Sequence, residues 1–474
     1  MCKNTASFEG GSWKMSDHLE RFKRDMAGKT VGVVGIGVSN TPIITMLAGF
    51  GVSVRAFDKR PVEQLGDPGK SLIDLGVALF CGEDYMDHLS GDLIIKTPGM
   101  RFDHPALERA RKQGSRITSE MELFFEYCPC EIIGITGSDG KTTTTSLIYE
   151  MLSRTDRKIH LGGNIGYPLL CRLGEIKEQD LVVAELSSFQ LHTLRKSAHV
   201  GLVTNLSPNH LDMHKGMEEY VEAKTNLFRF QDEKDLLILN HDNAITASFE
   251  KEARGRLRVF SFKGDHGMSG AFYQDEAIYL RDESGKCRKL IDRARLKLRG
   301  NHNVENFMAA CLAAADYCSE NEMIAVAEQF GGVRHRMEFI REVRGVCFYN
   351  DSIGSSPTRT VATLMSFEKK VRLIAGGYDK KIPFDLLGEA VPNHVDKLYL
   401  CGVTAEKIRQ AVLDQTPDFP IELFSDLKSA IEKAYEDSAA GEIVLLSPAC
   451  ASFDQFKNFE ERGDFFVSVV KELK

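Results

Sequence analysis

Thr136-Gly137-Ser138-Asp139-Gly140-Lys141-Thr142 is the stretch of this chain best suited to hold a nucleoside triphosphate. Glycine lets backbone N–H groups approach phosphate oxygens, a helix N-terminus adds partial positive charge, a lysine can reach terminal phosphates, and a threonine hydroxyl can hold Mg²⁺. The flanks fit this use. Ile132, Ile133 and Ile135 read as a short buried strand, the glycines Gly134, Gly137 and Gly140 punctuate a tight loop, and a helix is predicted from Thr142 onward. The candidate ATP contacts are therefore Gly137, Ser138, Asp139, Gly140, Lys141, Thr142 and Thr143. The strict GxxxxGK[ST] signature is not met, because Ile135 stands six positions before Lys141 where glycine would be required. A strand-to-helix turn without a ligand is the competing reading, since such turns arise by chance in a chain with 40 glycines.

Three more residues could do chemistry beside that loop. A predicted strand, DLVVAELSS, delivers Glu185 to its C-terminal end, and a second, GLVTNLS, delivers His210 just beyond its own. A carboxylate and a neutral imidazole are donors that phosphate-bound Mg²⁺ could use, although histidine is an unusual Mg²⁺ partner. The spacing of His210, Asp212 and His214 also permits zinc, but no further ligands of matching kind follow. Within GMEEYVEAKTNLFRFQ, read as one helix, Tyr220, Val221, Lys224 and Phe228 recur at i+3 or i+4, so Lys224 falls on the apolar stripe. It is either a snorkelling lysine whose stem covers the core, or a desolvated amine held neutral and able to add CO₂.

The elements that must position these groups follow an α/β pattern. TVGVVGIGVSN is a buried strand followed by Gly35 and Gly37, a helix is expected over about 41–50, and VSVRAFD ends at Asp58, as in a Rossmann half. The third glycine of the dinucleotide fingerprint is replaced by Asn40, and Lys59 and Arg60 follow the acid, which weakens a nicotinamide oxidoreductase reading. DLIIKTPGM reads as a later strand of this unit. GNHNVEN reads as an Asn-rich loop before a long Ala-rich helix, with Asn303 as a possible cap. QFGGVRHRME marks a boundary, after which VCFYND, VRLIAGG, KLYLCG and EIVLLSP alternate with helices as a second Rossmann-like sheet.

A chain of 474 residues is too long for one ordinary core, and three domains are expected, over residues 1–126, 127–333 and 334–474. The formal charge of −8 argues against a broad nucleic-acid-binding face. No apolar run reaches membrane-span length and the N-terminus has no signal-peptide core, so no membrane partner and a cytoplasmic location are expected. Eleven scattered cysteines fit reduced thiols, and Cys128-Pro129-Cys130 lacks CxxC spacing.

TGSDGKT resembles the ATP loop of the Mur ligases, the ATP-dependent ligases of peptidoglycan precursor synthesis. GGNIG (162–166), ELSSFQL (185–191), NLSPNHLDMH (205–214), GNHNVEN (300–306), HRME (335–338), YNDS (349–352) and LLSPACASFDQFKNFEERG (445–463) follow in the order of the members that add D-glutamate to UDP-N-acetylmuramoyl-L-alanine. The resemblance implies a UDP-sugar-binding Rossmann-like domain, a central P-loop-type ATPase domain and a C-terminal Rossmann-like amino-acid-binding domain. It also implies two Mg²⁺ sites, ATP as co-substrate and a monomer. By resemblance Val38, Ser39, Asp58, Lys59, Arg60, Asn164 and Ser187 serve the UDP-sugar, while Asn303, Asn306, Arg336 and Asp351 serve ATP. Thr142, Glu185, His210 and Lys224, as its carbamate, hold metal, and Lys141, His210 and Lys224 are the catalytic set.

For D-glutamate the resemblance implies Ser355, Arg359, Lys380, Ser452 and Phe459. Here the chain departs from the commoner family pattern, in which a lysine directly follows the YNDS-like segment; Ile353 stands there instead. Arg359, on a helix expected to start near Pro357, is the nearest downstream cation, and Lys380 with Lys381 beside it is the other. The rivals are folylpolyglutamate synthase, against which SPACASFDQFKNFEERG argues, and a regulatory P-loop protein that makes no amide.

Overall fold

A computed structural model describes residues 17–37, 39–207, 215–298, 300–367, 369–380 and 382–474. The chain is α/β throughout, built on three sheets. The first has five parallel strands, β1 (Thr30–Val34), β2 (Ser53–Asp58), β3 (Ala78–Cys81), β4 (Leu93–Ile95) and β5 (Arg116–Thr118), in the order β3-β2-β1-β4-β5. Its strand order reverses between β1 and β4, which opens a crevice at their C-terminal ends.

The second sheet runs β6 (Glu131–Thr136), β7 (Ile159–Gly163), β8 (Leu181–Glu185), β9 (Val200–Val203), β10 (Leu236–Asn240), β11 (Arg256–Ser261), β12 (Gly270–Gln274), β13 (Ala277–Arg281) and β14 (Cys287–Asp292) along the chain. Its order is β14-β13-β12-β11-β10-β9-β6-β8-β7, parallel except for the β12-β13-β14 meander. β6 is thus central, flanked by β8 and β9, and every side chain of β8 is buried, as expected of a parallel strand covered on both faces.

The third sheet contains β15 (Glu338–Val343), β16 (Val346–Asn350), β17 (Val371–Ala375), β18 (Val395–Cys401), β19 (Ile421–Phe424) and β20 (Ile443–Leu446), ordered β15-β16-β20-β17-β18-β19, with β15 antiparallel at one edge.

These sheets fall into two compact units, one ending at Gln329 and the other Phe330–Lys474. The first two sheets share a unit because their cores merge: one apolar cluster includes Val31 and Ile95 of the first sheet, Phe124 and Phe125, Leu169 and Leu173, and Val182 and Leu237 of the second. The segment ahead of β1 joins that core. Helix Asp17–Met26 buries Phe22 and Met26, and the Phe22 ring meets the Tyr127 ring edge-on at 5.1 Å. Among the described residues no helix is long and apolar enough to cross a membrane.

Several local expectations shift. β4 stops at Ile95 and not at Met100, because Pro98 and Gly99 break the strand and Met100 N–H turns back to Thr97 O. The helix expected over 216–231 ends at Thr225. GNHNVEN is not a loop: helix Asn301–Ala314 begins inside it, after Gly300 at φ +86°, so Asn303 lies in the first turn rather than at the cap.

Candidate active site

The phosphate loop leaves β6 at Thr136 and enters helix Lys141–Leu152, whose N-terminus favours an anion. Two glycines are required by their surroundings. Gly137, at φ +150°, sits so close to Thr204 that a Cβ would collide with its hydroxyl, and at Gly140, φ +78°, a Cβ would collide with Asn306 Oδ1. The segment after β9 straps the loop. Ser138 N–H donates to Asn205 O at 2.8 Å, Asp139 N–H to Asn205 Oδ1 at 2.9 Å, and the Thr204 hydroxyl to Asp139 O at 2.6 Å. Those two N–H groups are therefore committed within the protein, which narrows the N–H groups available to phosphate to those nearer the helix start. Ser138 also faces inward, with its hydroxyl on Ser207 O (3.0 Å) and against Tyr220 OH (2.9 Å).

Lys141 folds over the loop, its Nζ donating to Gly137 O and Ser138 O, each at 2.8 Å. Lys224 approaches from beneath. It is 2% exposed, and its Nζ donates to Thr136 Oγ1 and to the same Gly137 O, both at 2.9 Å, 4.9 Å from the Tyr220 ring centre. Two ammonium groups on one carbonyl oxygen repel. Burial, and next the Lys141 charge, push the Lys224 amine well below its ordinary pKa against the pull of Glu185. A buried amine whose pKa is pushed down in this way is the kind of group that CO₂ addition requires.

Glu185 is the last residue of β8 and 2% exposed. Asn164 Nδ2 donates to its Oε1 at 2.8 Å, while Oε2 is buried with no hydrogen-bond partner among the described residues. An orphaned carboxylate oxygen beside Lys224 and the loop has the character of a hard-cation ligand, so the donor set fits Mg²⁺. His210, with Asp212 and His214, lies outside the described residues; among those described no cluster of three His, Cys, Asp or Glu could hold a metal ion. Asn303 and Asn306 come together at the loop: Asn306 Nδ2 donates to Asn303 Oδ1 at 3.1 Å, and Thr144 donates to Asn306 Oδ1 at 3.3 Å. The Cys128 and Cys130 sulfurs, 3.8 Å apart, are free thiols.

At the switch point of the first sheet Ser39 and Lys59 are exposed, and Val38 lies outside the described residues. Asp58 is not an open ribose acceptor. Ile36 N–H donates to its Oδ2 at 2.7 Å, and Arg60 holds both oxygens through N–H, Nε and Nη2 at 2.9 Å each. Burial pushes this carboxyl up, but those bonds outweigh it and bring it to about 2. Ser187 caps helix Ser188–Leu191 in a capping box with Gln190.

In the second unit the candidates sit at adjacent strand ends. Arg336 stands between His335 (φ +62°) and Met337 (φ +46°), a left-handed pair that few non-glycine residues adopt. Asp351 is buried, its Oδ2 accepting from Thr363 and Ser447 hydroxyls at 2.8 Å each, and burial pushes it up to about 6 despite them. Ser355, Arg359 and Lys380 gather at one turn: Lys380 Nζ reaches Ser355 O at 3.3 Å, and exposed Arg359 reaches Ile353 O at 3.5 Å. Lys381 lies outside the described residues. Ser452 is buried, and Phe459 O accepts from Ser352 at 2.8 Å. Sequence reasoning missed Thr204, Asn205 and Tyr220, which hold the loop, and Arg462; Thr204 and Asn205 follow β9 directly, but their meaning depends on β9 lying beside β6.

The Mur ligase middle domain family matches residues 135–314, and the family described as Mur ligase, glutamate ligase domain matches 335–450. A UDP-N-acetylmuramoylalanine–D-glutamate ligase of Acetivibrio thermocellus is 49% identical over 468 residues, 97% of this chain and 100% of that protein. The ligase of the same name from Clostridium tetani is 47% identical over 464 residues, with the same coverage. Among solved structures, the UDP-N-acetylmuramate-alanine ligase of Thermotoga maritima aligns with a TM-score of 0.55 at 18% identity over 94% of this chain and 100% of that one, a likeness of fold. With identity of this extent and a strapped triphosphate loop over two lysines, the chain belongs to the Mur ligase family.

Proposed function

We propose that this protein joins D-glutamate to UDP-N-acetylmuramoyl-L-alanine while ATP is cleaved to ADP and phosphate, acting as a cytoplasmic monomer in peptidoglycan precursor synthesis. The observation that carries the reading is the loop itself: Lys141 and Lys224 on one carbonyl, with Glu185 Oε2 left open beside them. The relatives that span the chain bear the name of this ligase.

In this reading residues 1–126 hold the UDP-sugar, 127–333 hold ATP, and 334–474 hold D-glutamate. The L-alanyl carboxylate attacks the γ-phosphate, and the D-glutamate amine then displaces phosphate from the acyl phosphate. Lys141 leaves the loop carbonyls for the phosphoryl oxygens, where its charge counts most as negative charge spreads in the transition state. Thr142, Glu185, His210 and the Lys224 carbamate would hold two Mg²⁺, which supply further neutralisation of phosphate charge. Asn303, Asn306, Arg336 and Asp351 serve the nucleotide. Ser39 and Val38, with Lys59, Arg60, Asn164 and Ser187, serve the UDP-sugar; Asp58 acts there by orienting Arg60. Ser355, Arg359, Lys380, Ser452 and Phe459 meet D-glutamate.

Phosphate release with UDP-N-acetylmuramoyl-L-alanine, ATP and a panel of D- and L-amino acids tests this. Release should require D-glutamate and yield the amide in equal amount; release supported by L-amino acids alone, or hydrolysis without amide, would refute it.

A further inference from the structure

Arg462 lies four residues into the run that follows Asn458, whose Oδ1 accepts Glu461 N–H at 2.8 Å and caps helix Phe459–Glu472. The side chain is 3% exposed. Its fork reaches two separate turns at once. Nε donates to Ser352 Oγ at 3.0 Å, Nη2 to Ser352 O at 2.8 Å and to Cys450 O at 3.1 Å, and Ser352 Oγ passes its own proton to Phe459 O at 2.8 Å. Nη1 is buried without a partner among the described residues and points at a third turn, since a Cβ on Gly377 would stand 3.3 Å from it. Asp454 and Asp351 act on the guanidinium only through space.

The three turns leave the C-terminal ends of β16, β20 and β17, which are consecutive neighbours in the sheet. The first leads to Ser355, the second to Ser452, the third to Lys380. A planar cation with five donors can satisfy backbone oxygens on two turns and aim at a third; a lysine ammonium cannot span them in one plane.

We propose that Arg462 is the positioning residue of the amino-acid half-site, fixing the spacing of Ser355, Ser452 and Lys380 from below. This rests on the D-glutamate reading of those residues. The guanidinium touches no substrate. It acts by holding Ser352 O and Cys450 O, and by placing an unpaired positive charge under a pocket that must accept two carboxylates.

The test measures KM for D-glutamate, ATP and UDP-N-acetylmuramoyl-L-alanine separately in Arg462→Lys and Arg462→Gln, with thermal unfolding in parallel. D-glutamate KM is expected to rise at least tenfold in Arg462→Lys and further in Arg462→Gln, with UDP-sugar KM within twofold of the parent. Ser352→Ala, which removes one acceptor, should raise D-glutamate KM less and combine non-additively with Arg462→Lys; this pair carries the test if Arg462→Gln does not fold. Unchanged D-glutamate KM, parallel rises in all three KM values, or simple additivity with Ser352→Ala would overturn the assignment. Failure of the unmodified protein to use D-glutamate would overturn the functional reading itself, a result separable from normal turnover in the parent with indifferent variants.

Discussion

Replacing Lys224 by methionine separates its chemical role from its structural one. The change removes two hydrogen bonds, each contributing about 0.5–1.5 kcal/mol. Neither acceptor is stranded: Gly137 O keeps Lys141 at 2.8 Å, and the Thr136 hydroxyl still donates to Leu186 O at 2.7 Å. The variant also relieves repulsion. Placed end to end, the 2.8 and 2.9 Å bonds to Gly137 O allow the two nitrogens at most 5.7 Å. At that separation two unit charges repel by roughly 3 kcal/mol at an effective dielectric constant of 20. Because burial and the Lys141 charge push the Lys224 amine well below its ordinary pKa, part of that repulsion is already relieved, and the rest offsets the lost bonds. Methionine fills similar volume with apolar atoms, so global stability should move by no more than about 1.5 kcal/mol. Turnover should fall on the order of a hundredfold to a thousandfold, the usual loss when one preorganised charge-stabilising group is removed. Denaturant unfolding and coupled ADP release measure the two quantities. A short-chain carboxylic acid should restore part of the activity of Lys224→Ala by supplying carboxylate oxygens in place of the carbamate. Near-native turnover in Lys224→Met would refute the carbamate role. Destabilisation beyond about 3 kcal/mol would show that the amine is held for the fold.

Lys141→Ala should lower turnover by orders of magnitude with little change in unfolding midpoint, because the side chain lies over the loop and not in the core. Gly140→Ala should raise ATP KM at least tenfold, since the new methyl at φ +78° meets Asn306; pairing it with Asn306→Ala removes the clash but not the backbone strain, and should recover only part of the loss. Asp351→Asn tests linkage: a carboxyl at about 6 in the fold against 3.8 unfolded takes up its proton first in the native state, so its contribution to stability is lost as pH rises through that window. The variant should therefore unfold at higher temperature than the parent at pH 7.5 and match it near pH 4. Arg359→Ala should raise D-glutamate KM at least tenfold and spare ATP KM, since Arg359 and Lys380 are both exposed cations at the Ser355 turn; unchanged D-glutamate KM in Arg359→Ala beside a large rise in Lys380→Ala would leave Lys380 as the main cation.

Much of this protein is legible residue by residue because the forces concerned are local. Apolar β-branched runs and glycine turns mark β6 and its loop, and the apolar spacing around Lys224 foretells its burial. Pattern reading failed where continuous segments hid a break: the asparagines of GNHNVEN look like a loop yet open a helix, because Gly300 in left-handed backbone supplies the turn. The remainder depended on sheet order, which no local signal carries. β9 lies beside β6, and only that adjacency sets Thr204 and Asn205 against a loop more than sixty positions earlier in the chain. The merged core of the first two sheets, the Ile36 N–H bond to Asp58, the carbonyl shared by Lys141 and Lys224, and the reach of Arg462 across neighbouring turns all join residues distant in sequence. Sequence determined which residues could do chemistry and which faces would be buried, through sterics and hydrophobic periodicity acting over a few residues. Tertiary structure decided which of them meet, because a buried donor, acceptor or charge finds its partner only when packing has fixed both ends.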